Sequence, residues 1–350
     1  AYKLRPRVDK AEALGDVGLH RYVQPFIDQF FTQSAQSNHV MQINPLEMKE
    51  NAFKLSSLGE GAIGDTRAIG SEVRAIHPSS MGFIDPVRTP DNASAGVDVR
   101  LALSATKQGK QLMARVLNAR TGKPEFKTPV ELFNSVVAHD AEPTEHGLIR
   151  AVHQGMVIDA KPQHVQYRIP TNSQFTVSTT MVPFIQSTHA HRAAMGAKML
   201  GQAVSLVDRE PPIVDTPFAR NALEDFIVRS PVAGTVHKIE PGVIHLKTVQ
   251  GQITKVNYPH EFPLNGGSFL HGELQVKPGD RVAAGQLLAG NNFTNGADTA
   301  LGKNLTVAFM PYKGLNHEDA IVVTRQGADK LVSQHLHTEE ARIDERAVFD

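Results

Sequence analysis

Cysteine is absent from the 350 residues. Disulfide scaffolds, thiolate zinc sites and cysteine nucleophiles are thereby excluded, and a reducing compartment suits the chain. Net charge is absent as well, because 36 Lys and Arg balance 36 Asp and Glu. Without a global basic field, any contact with nucleic acid has to use local patches or partners that supply the charge. No apolar run approaches the length of a membrane span. The basic start AYKLRPRVDK has no apolar core behind it, so no secretory signal is expected. The chain also lacks an initiator Met, the expectation for a processed, trimmed or partial chain. Neither a fixed-period repeat nor a low-complexity segment is visible.

What is present is a turn-rich globular composition, 41% hydrophobic with 27 Gly and 21 Pro, long enough for two or three domains. Residues 1–56 read as mainly helical, with Tyr22, Phe26, Ile27, Phe30 and Phe31 at the spacing of a core-facing stripe. Residues 57–100 read as Gly- and Pro-rich loops laid over a scaffold. Residues 101–180 alternate short apolar strands such as Met113–Leu117, Gly155–Ile158 and Val165–Ile169. Residues 181–225 hold an Ala-rich helix preceded by Pro183, followed by a connector. Residues 226–300 read as all-β, with strands at Ile227–Val228, Gly234–Val236, Val243–Leu246, Thr254–Asn257 and Glu273–Val276. In residues 301–350, strands at Val307–Met310 and Ala320–Thr324 flank a turn at Pro311 and Gly314. The fold class is α+β and β-rich, built from interleaved excursions.

That last turn delivers Asn316, His317, Glu318 and Asp319 together. Two adjacent carboxylates repel one another, so such a pair suits a cation or a polyphosphate–metal complex, whereas a lone Glu-Asp would pass as a solvated acidic turn. Other motifs carry less. Gly59, Gly61 and Gly64 match GxGxxG, but no buried strand precedes them and Pro78 interrupts the downstream segment, so a glycine-rich surface loop with Asp65 and Arg67 at its tip is expected. His189 and His191 precede or open the Ala-rich helix with no third ligand nearby, which favours a solvated or capping role over a metal. Arg192, in the first helical turn among small residues, is either a surface Arg or a fork for phosphate. The VKPGDRVAAGQLLAG segment needs Gly279 and Gly285 for tight turns. It has the look of a lipoyl or biotinyl carrier barrel, yet the only carrier-like tripeptide, Asp9-Lys10-Ala11, lies far from it.

Three segments, in order, resemble the β subunit of multisubunit, bacterial-type DNA-directed RNA polymerase. Residues 57–101 are similar to that family's fork-loop region, matching at Leu58, Gly59, Gly61, Glu72, Val73, Arg74, His77, Pro78, Thr89 and Pro90. Residues 184–206 match the Asn-Arg, Met-Gly-Ala and Gln-Ala-Val segment at Arg192, Met195, Gly196, Ala197, Gln202, Ala203 and Val204. Residues 301–324 resemble the Gly-x-Asn, Ala-Phe-Met-Pro and Asn-Phe-Glu-Asp signature. The departures are Asp91-Asn92 for Glu-Gly, His317 for the aromatic before Glu-Asp, and Tyr312 for Trp. They suggest a remote member, as in large bacteriophages that split their polymerase subunits.

The resemblance implies a fork-loop region, a barrel-sandwich-like β wall that binds the hybrid, and part of a double-psi β-barrel. It implies nucleotidyl transfer with Mg2+ held mainly by a β′-like partner, since no Asn-Ala-Asp-Phe-Asp-Gly-Asp run occurs here. Glu318 and Asp319 would face the nucleoside triphosphate and its magnesium, with no direct metal ligand otherwise assigned, and Arg192 would reach the triphosphate. Gly59, Gly61, Arg67 and Arg74 would contact nucleic acid, together with Lys313 and Asn316 beside the acidic pair. Implied partners are the β′-like subunit, further β segments, the DNA template and the RNA–DNA hybrid, in the cytoplasm and without a membrane. The chain alone would be inactive. A rival reading is a β-like scaffold subunit without catalytic importance. The positions that bind rifamycins in sensitive relatives hold Asn38, Met41, Asn51 and Lys54, so resistance is expected.

Overall fold

A computed structural model describes residues 19–33, 39–59, 62–65, 69–90, 92–214 and 216–339. Within them the chain is β-rich, with several small sheets and few helices of more than two turns. The largest sheet has eight strands. Its main path runs Ala105–Gln108, Gln111–Asn118, Tyr167–Ile169, Val137–His139, Leu148–His153 and Thr144–Glu145. Pro124–Lys127 pairs with the second of these and Met156–Ala160 with the fifth. Neighbours along the path are antiparallel except Tyr167–Ile169 against Val137–His139, a parallel pair reached by a long crossover. One face packs Phe83, Ala114, Val116, Leu132, Val137 and Ile169.

A four-stranded antiparallel sheet comes next, in the order Ile253–Asn257, Val243–Thr248, Gly234–Glu240, Arg281–Val282. Alternation puts Val236, Ile244, Leu246 and Val282 inward, where they meet Val276 and Leu288. Gly279 (φ 97°) and Gly285 (φ 81°) take the left-handed conformation that the tight turns of this segment demand.

A further core is drawn from four separated stretches: Leu46, then Val177 and Met181, then Ala219, Ala222 and Leu223, then Leu264, Leu270 and Phe293. Leu46, Leu223 and Phe293 are each at most 1% exposed, and burying a side chain of that size contributes about 1.5–3 kcal/mol. Leu46 sits on the Pro45–Asn51 helix, whose start Asn44 caps by accepting the Glu47 N–H at 2.9 Å. The Ala190–Gly201 helix begins with His189, whose Nδ1 accepts the His191 N–H at 3.3 Å, a capping use of the histidine pair.

Two expectations fail. The Leu19–Gln33 helix forms, but Phe26, Phe30 and Phe31 are 73%, 59% and 66% exposed, so the apolar stripe faces solvent. Helical spacing shows that a face wants an apolar neighbour, not that the neighbour lies in this chain. Nor do Val307–Met310 and Ala320–Thr324 form strands. A strand needs a partner for its backbone N–H and C=O groups, and among the described residues no strand lies beside either segment. Their side chains are bare, Phe309 99% and Ile321 85% exposed.

Candidate active-centre elements

The turn at 310–319 is pinned by Asn316. Its Oδ1 accepts the Tyr312 N–H at 3.0 Å and its Nδ2 donates to the Met310 carbonyl at 2.7 Å. Lys313 (φ 51°), Gly314 (φ 71°) and Glu318 (φ 55°) are left-handed, which folds the chain back within a few residues. The Lys313 ammonium lies 5.5 Å from the Tyr312 ring centroid. His317 Nε2 is 3.6 Å from Glu318 Oε1, and both side chains are 84% exposed. Asp319 is exposed beside them. Two carboxylates presented to solvent in this way can reach a ligand-borne cation. Among the described residues, however, no group of three or more His, Asp or Glu gathers to hold a metal.

This turn belongs to an excursion anchored at both ends on one short stretch. On entry, Glu210 N–H donates to the Gly302 carbonyl at 2.8 Å, and Lys303 Nζ pairs with Asp208 at 2.6 Å and Glu210 at 2.5 Å. On exit, Val207 N–H donates to the Val332 carbonyl and Gln334 N–H to the Ser205 carbonyl. The anchoring stretch, 205–210, continues from the Ala190–Gly201 helix that carries Arg192. Arg192 is exposed, and its guanidinium makes a weak contact from Nη1 to Met195 Sδ at 3.9 Å. Among the described residues no hydrogen bond or ion pair joins Arg192 to Glu318 or Asp319.

The same helix is tied at its C-terminal end to the start of the Pro45–Asn51 helix. Asn44 Nδ2 donates to the Leu200 and Ala203 carbonyls, both at 2.9 Å, so one side chain caps one helix and closes another. Behind Asn44 lies a charge cluster that sequence reasoning missed. Glu50 and Glu47, 1% and 6% exposed, meet Arg88 and Arg100, 7% and 8% exposed. Glu50 Oε2 accepts Arg88 Nε at 3.0 Å and Glu47 Oε2 accepts Arg88 Nη2 at 3.2 Å. Arg100 stands 3.6 Å from Glu47 and 4.0 Å from Glu50. Glu50 Oε1 also takes the Ser178 N–H at 2.8 Å, and Asp85 takes the Thr176, Val87 and Arg88 N–H groups. Burial pushes the Glu47 carboxyl up and the Arg100 guanidinium down, in each case against the pull of the opposite charges. Gly201 completes the fit, since a Cβ there would stand 2.3 Å from Glu47 Oε2. Gly201→Ala is therefore expected to cost about 1–3 kcal/mol in a chemical-denaturation measurement, the usual effect of overpacking.

In the glycine-rich loop, Gly59 is at φ 126°, and its N–H bonds the Ile63 carbonyl at 3.2 Å. Gly61 and Arg67 lie outside the described residues. Arg74 has a structural task that its sequence did not reveal. Its Nη1 donates to the Ala93 and Ala95 carbonyls at 2.6 and 2.9 Å, holding the loop after Thr89-Pro90. Gly96 packs so closely against the Arg74 backbone that a Cβ would lie 2.4 Å from its carbonyl oxygen.

Two family descriptions match these parts. Residues 39–106, with the loop and all four members of the buried cluster, match RNA polymerase Rpb2, domain 3. Residues 273–348, with the Asn316–Asp319 turn, match RNA polymerase Rpb2, domain 6. These two stretches of the chain are therefore similar to domains of RNA polymerase Rpb2. More particularly, the chain is similar to bacterial DNA-directed RNA polymerase subunit beta. It is 30% identical to that of Streptomyces coelicolor over 341 residues, covering 93% of this chain and 29% of the relative. It is 32% identical over 342 residues both to the Streptomyces avermitilis subunit, with 93% and 29% covered, and to the Thermosynechococcus vestitus subunit, with 91% and 30% covered. The chain thus spans under a third of the length of these relatives. Among the described residues no helix is long and apolar enough to cross a membrane.

Proposed function

We propose that this chain is the β-subunit part of the catalytic core of a DNA-directed RNA polymerase, completing a nucleotide-binding centre whose magnesium is held mainly by a β′-like partner. The observation that carries the reading is the similarity over 93% of the chain to bacterial β subunits, with the two family matches falling on the glycine-rich loop and the Glu-Asp turn. Residues 57–100 act as the fork-loop region near strand separation, residues 226–300 as the hybrid-binding wall, and residues 301–350 as part of a double-psi barrel. The bare Phe309 and Ile321 support this last assignment, because unpaired apolar segments of this kind suit strands supplied from elsewhere in a polymerase.

Magnesium would supply charge neutralisation for the triphosphate and a poised hydroxyl nucleophile. This chain's share is to hold Glu318 and Asp319 toward the nucleotide and to bring Arg192 to the triphosphate. Both are placed through 205–210, which carries the excursion and continues from the helix. The exposed, lightly engaged guanidinium of Arg192 supports that role. A large-bacteriophage source is proposed from the departures at Asp91, Asn92, Tyr312 and His317.

The experiment is native purification of the chain from its source. Recovery of a partner bearing an Asp-rich magnesium motif, together with DNA-templated RNA synthesis, is expected; recovery without either would refute the reading. The assembled enzyme is expected to resist rifamycins. Asn51 Nδ2 is engaged with the Met41 carbonyl at 3.1 Å and Lys54 with Asp98 at 3.6 Å, while Asn38 lies outside the described residues. Losing several drug hydrogen bonds, at about 1 kcal/mol or more each, removes useful affinity. Inhibition at ordinary drug concentrations in a run-off transcription assay would contradict this.

A further inference from the structure

Asn44 is fully buried, and every polar atom of its side chain is committed. Oδ1 accepts the Glu47 N–H at 2.9 Å, and Nδ2 donates to the Leu200 and Ala203 carbonyls, both at 2.9 Å. A carboxamide offers an acceptor and two donors, and here each meets its complement. Leu200 lies in the last turn of the Ala190–Gly201 helix, where carbonyls lack a partner within the helix. Ala203 leads into 205–210, the stretch that anchors the excursion bearing Glu318 and Asp319. Arg192 stands near the opposite end of the helix, about 12 Å back along the axis from Leu200. Between these ends the helix buries Ala193 and Ala197, whose methyl groups fit closely but form low ridges that interlock little. Among the described residues, no other side chain outside the helix and its cap hydrogen-bonds to it. Gly201 lets Glu47 close in on the same end, so the helix is fixed most tightly where Asn44 holds it.

We infer that Asn44 is a positioning residue for nucleotide addition: its two donated hydrogen bonds fix the helix that presents Arg192 to the triphosphate. The inference deepens the proposed function and rests on it for the role of Arg192. A helix moves as a rod, so a shift at its C-terminal end is carried to Arg192. A misplacement of about 1 Å can cost about 10²-fold in rate. The two halves of the Asn44 side chain separate chemically. Aspartate caps a helix as well as asparagine does, but it sets a carboxylate oxygen against the Leu200 and Ala203 carbonyls. Serine also caps, and it has no amide group to reach those carbonyls. Both substitutions therefore keep the start of the Pro45–Asn51 helix and release the end of the Ala190–Gly201 helix.

The test is single-nucleotide addition by the assembled enzyme, with kcat and KM for the nucleoside triphosphate taken per assembled complex. It compares the parent with Asn44→Asp, Arg192→Ala and the double variant. Asn44→Asp is expected to lower kcat/KM about tenfold or more, raising KM and lowering kcat together as loss of the Arg192 contact would. In the Arg192→Ala background, Asn44→Asp should add less than about twofold, because a residue acting through Arg192 has nothing left to position. Should Asn44→Asp fold poorly, Asn44→Ser serves in the same cycle, with a smaller loss in the same direction. Purely structural packing would give an Asn44 loss of equal size with and without Arg192, and that result would overturn the inference. Parent-like kinetics for Asn44→Asp and Asn44→Ser beside a slow Arg192→Ala would refute the inference alone. Parent-like kinetics for Arg192→Ala would refute the proposed role of Arg192 and this inference with it.

Discussion

Replacing Glu50 with alanine is expected to lower the stability of the chain by about 3–5 kcal/mol in urea denaturation. Its carboxylate is the centre of the buried cluster, touching Arg88 and Arg100 and the Ser178 N–H. Truncation leaves two guanidinium groups in the interior with Glu47 as their remaining close counter-charge, and it orphans a buried backbone donor. Glu50→Gln should cost less, because the amide oxygen can still accept from Ser178 while the ion pairs are lost. The cluster's net worth is a separate matter. Desolvating four charges is expensive, so replacing Glu50 and Arg88 together by methionine should recover much of the loss. A cost below about 1 kcal/mol for Glu50→Ala would show that water reaches the cluster and that it does not lock the helix to the loop.

The cluster also marks where sequence reasoning stops. Glu47 and Glu50 come from one helix, Arg88 from a loop, Arg100 from the short Asp98–Arg100 strand, and Ser178 from a further helix. No local pattern distinguishes a Glu on a seven-residue helix that is 1% exposed from one in solvent. What was legible was local. The Ala-rich run beginning at Ala190 forms its helix, with His189 as the cap. The alternation around Ile244 and Leu246 gives the four-stranded sheet its inner face. The Pro278-Gly279-Asp280 turn closes as its residues dictate, with Asp280 Oδ2 accepting the Lys277 N–H at 2.7 Å. The failures at Val307–Met310 and Ala320–Thr324 share one cause. Strand propensity is read from neighbours in sequence, whereas a strand exists only when a second strand satisfies its backbone. The prominence of Asn316–Asp319 was readable, but its geometry was not. Nothing in the sequence showed that Asn316 would fix the turn through both ends of its amide, or that Glu318 would stand at positive φ.

That geometry makes the second large effect separable into charge and backbone. If the proposed function holds, Glu318→Ala and Asp319→Ala in the assembled enzyme should each slow nucleotide addition by about 10²-fold or more, the usual scale for removing a group aimed at developing charge. Stability should hardly move, because the Glu318 side chain is 84% exposed and its contact is the equally exposed His317 ring. The left-handed backbone at Glu318 costs of order 1–3 kcal/mol that the rest of the turn must sustain. Glycine relieves that strain while deleting the carboxylate; glutamine keeps the side-chain shape and deletes the charge. If the carboxylate matters, Glu318→Gly and Glu318→Gln should be equally slow, although the glycine variant is conformationally relaxed. If Arg192 reaches the triphosphate as proposed, Arg192→Ala should raise the KM for nucleoside triphosphate as well as lower kcat, since such a guanidinium acts on binding and on the transition state together. A scaffold subunit would show none of this. All of these variants would then elongate at the parent rate, and the exposed acidic pair would be a solvated turn whose tether to 205–210 has no chemical consequence.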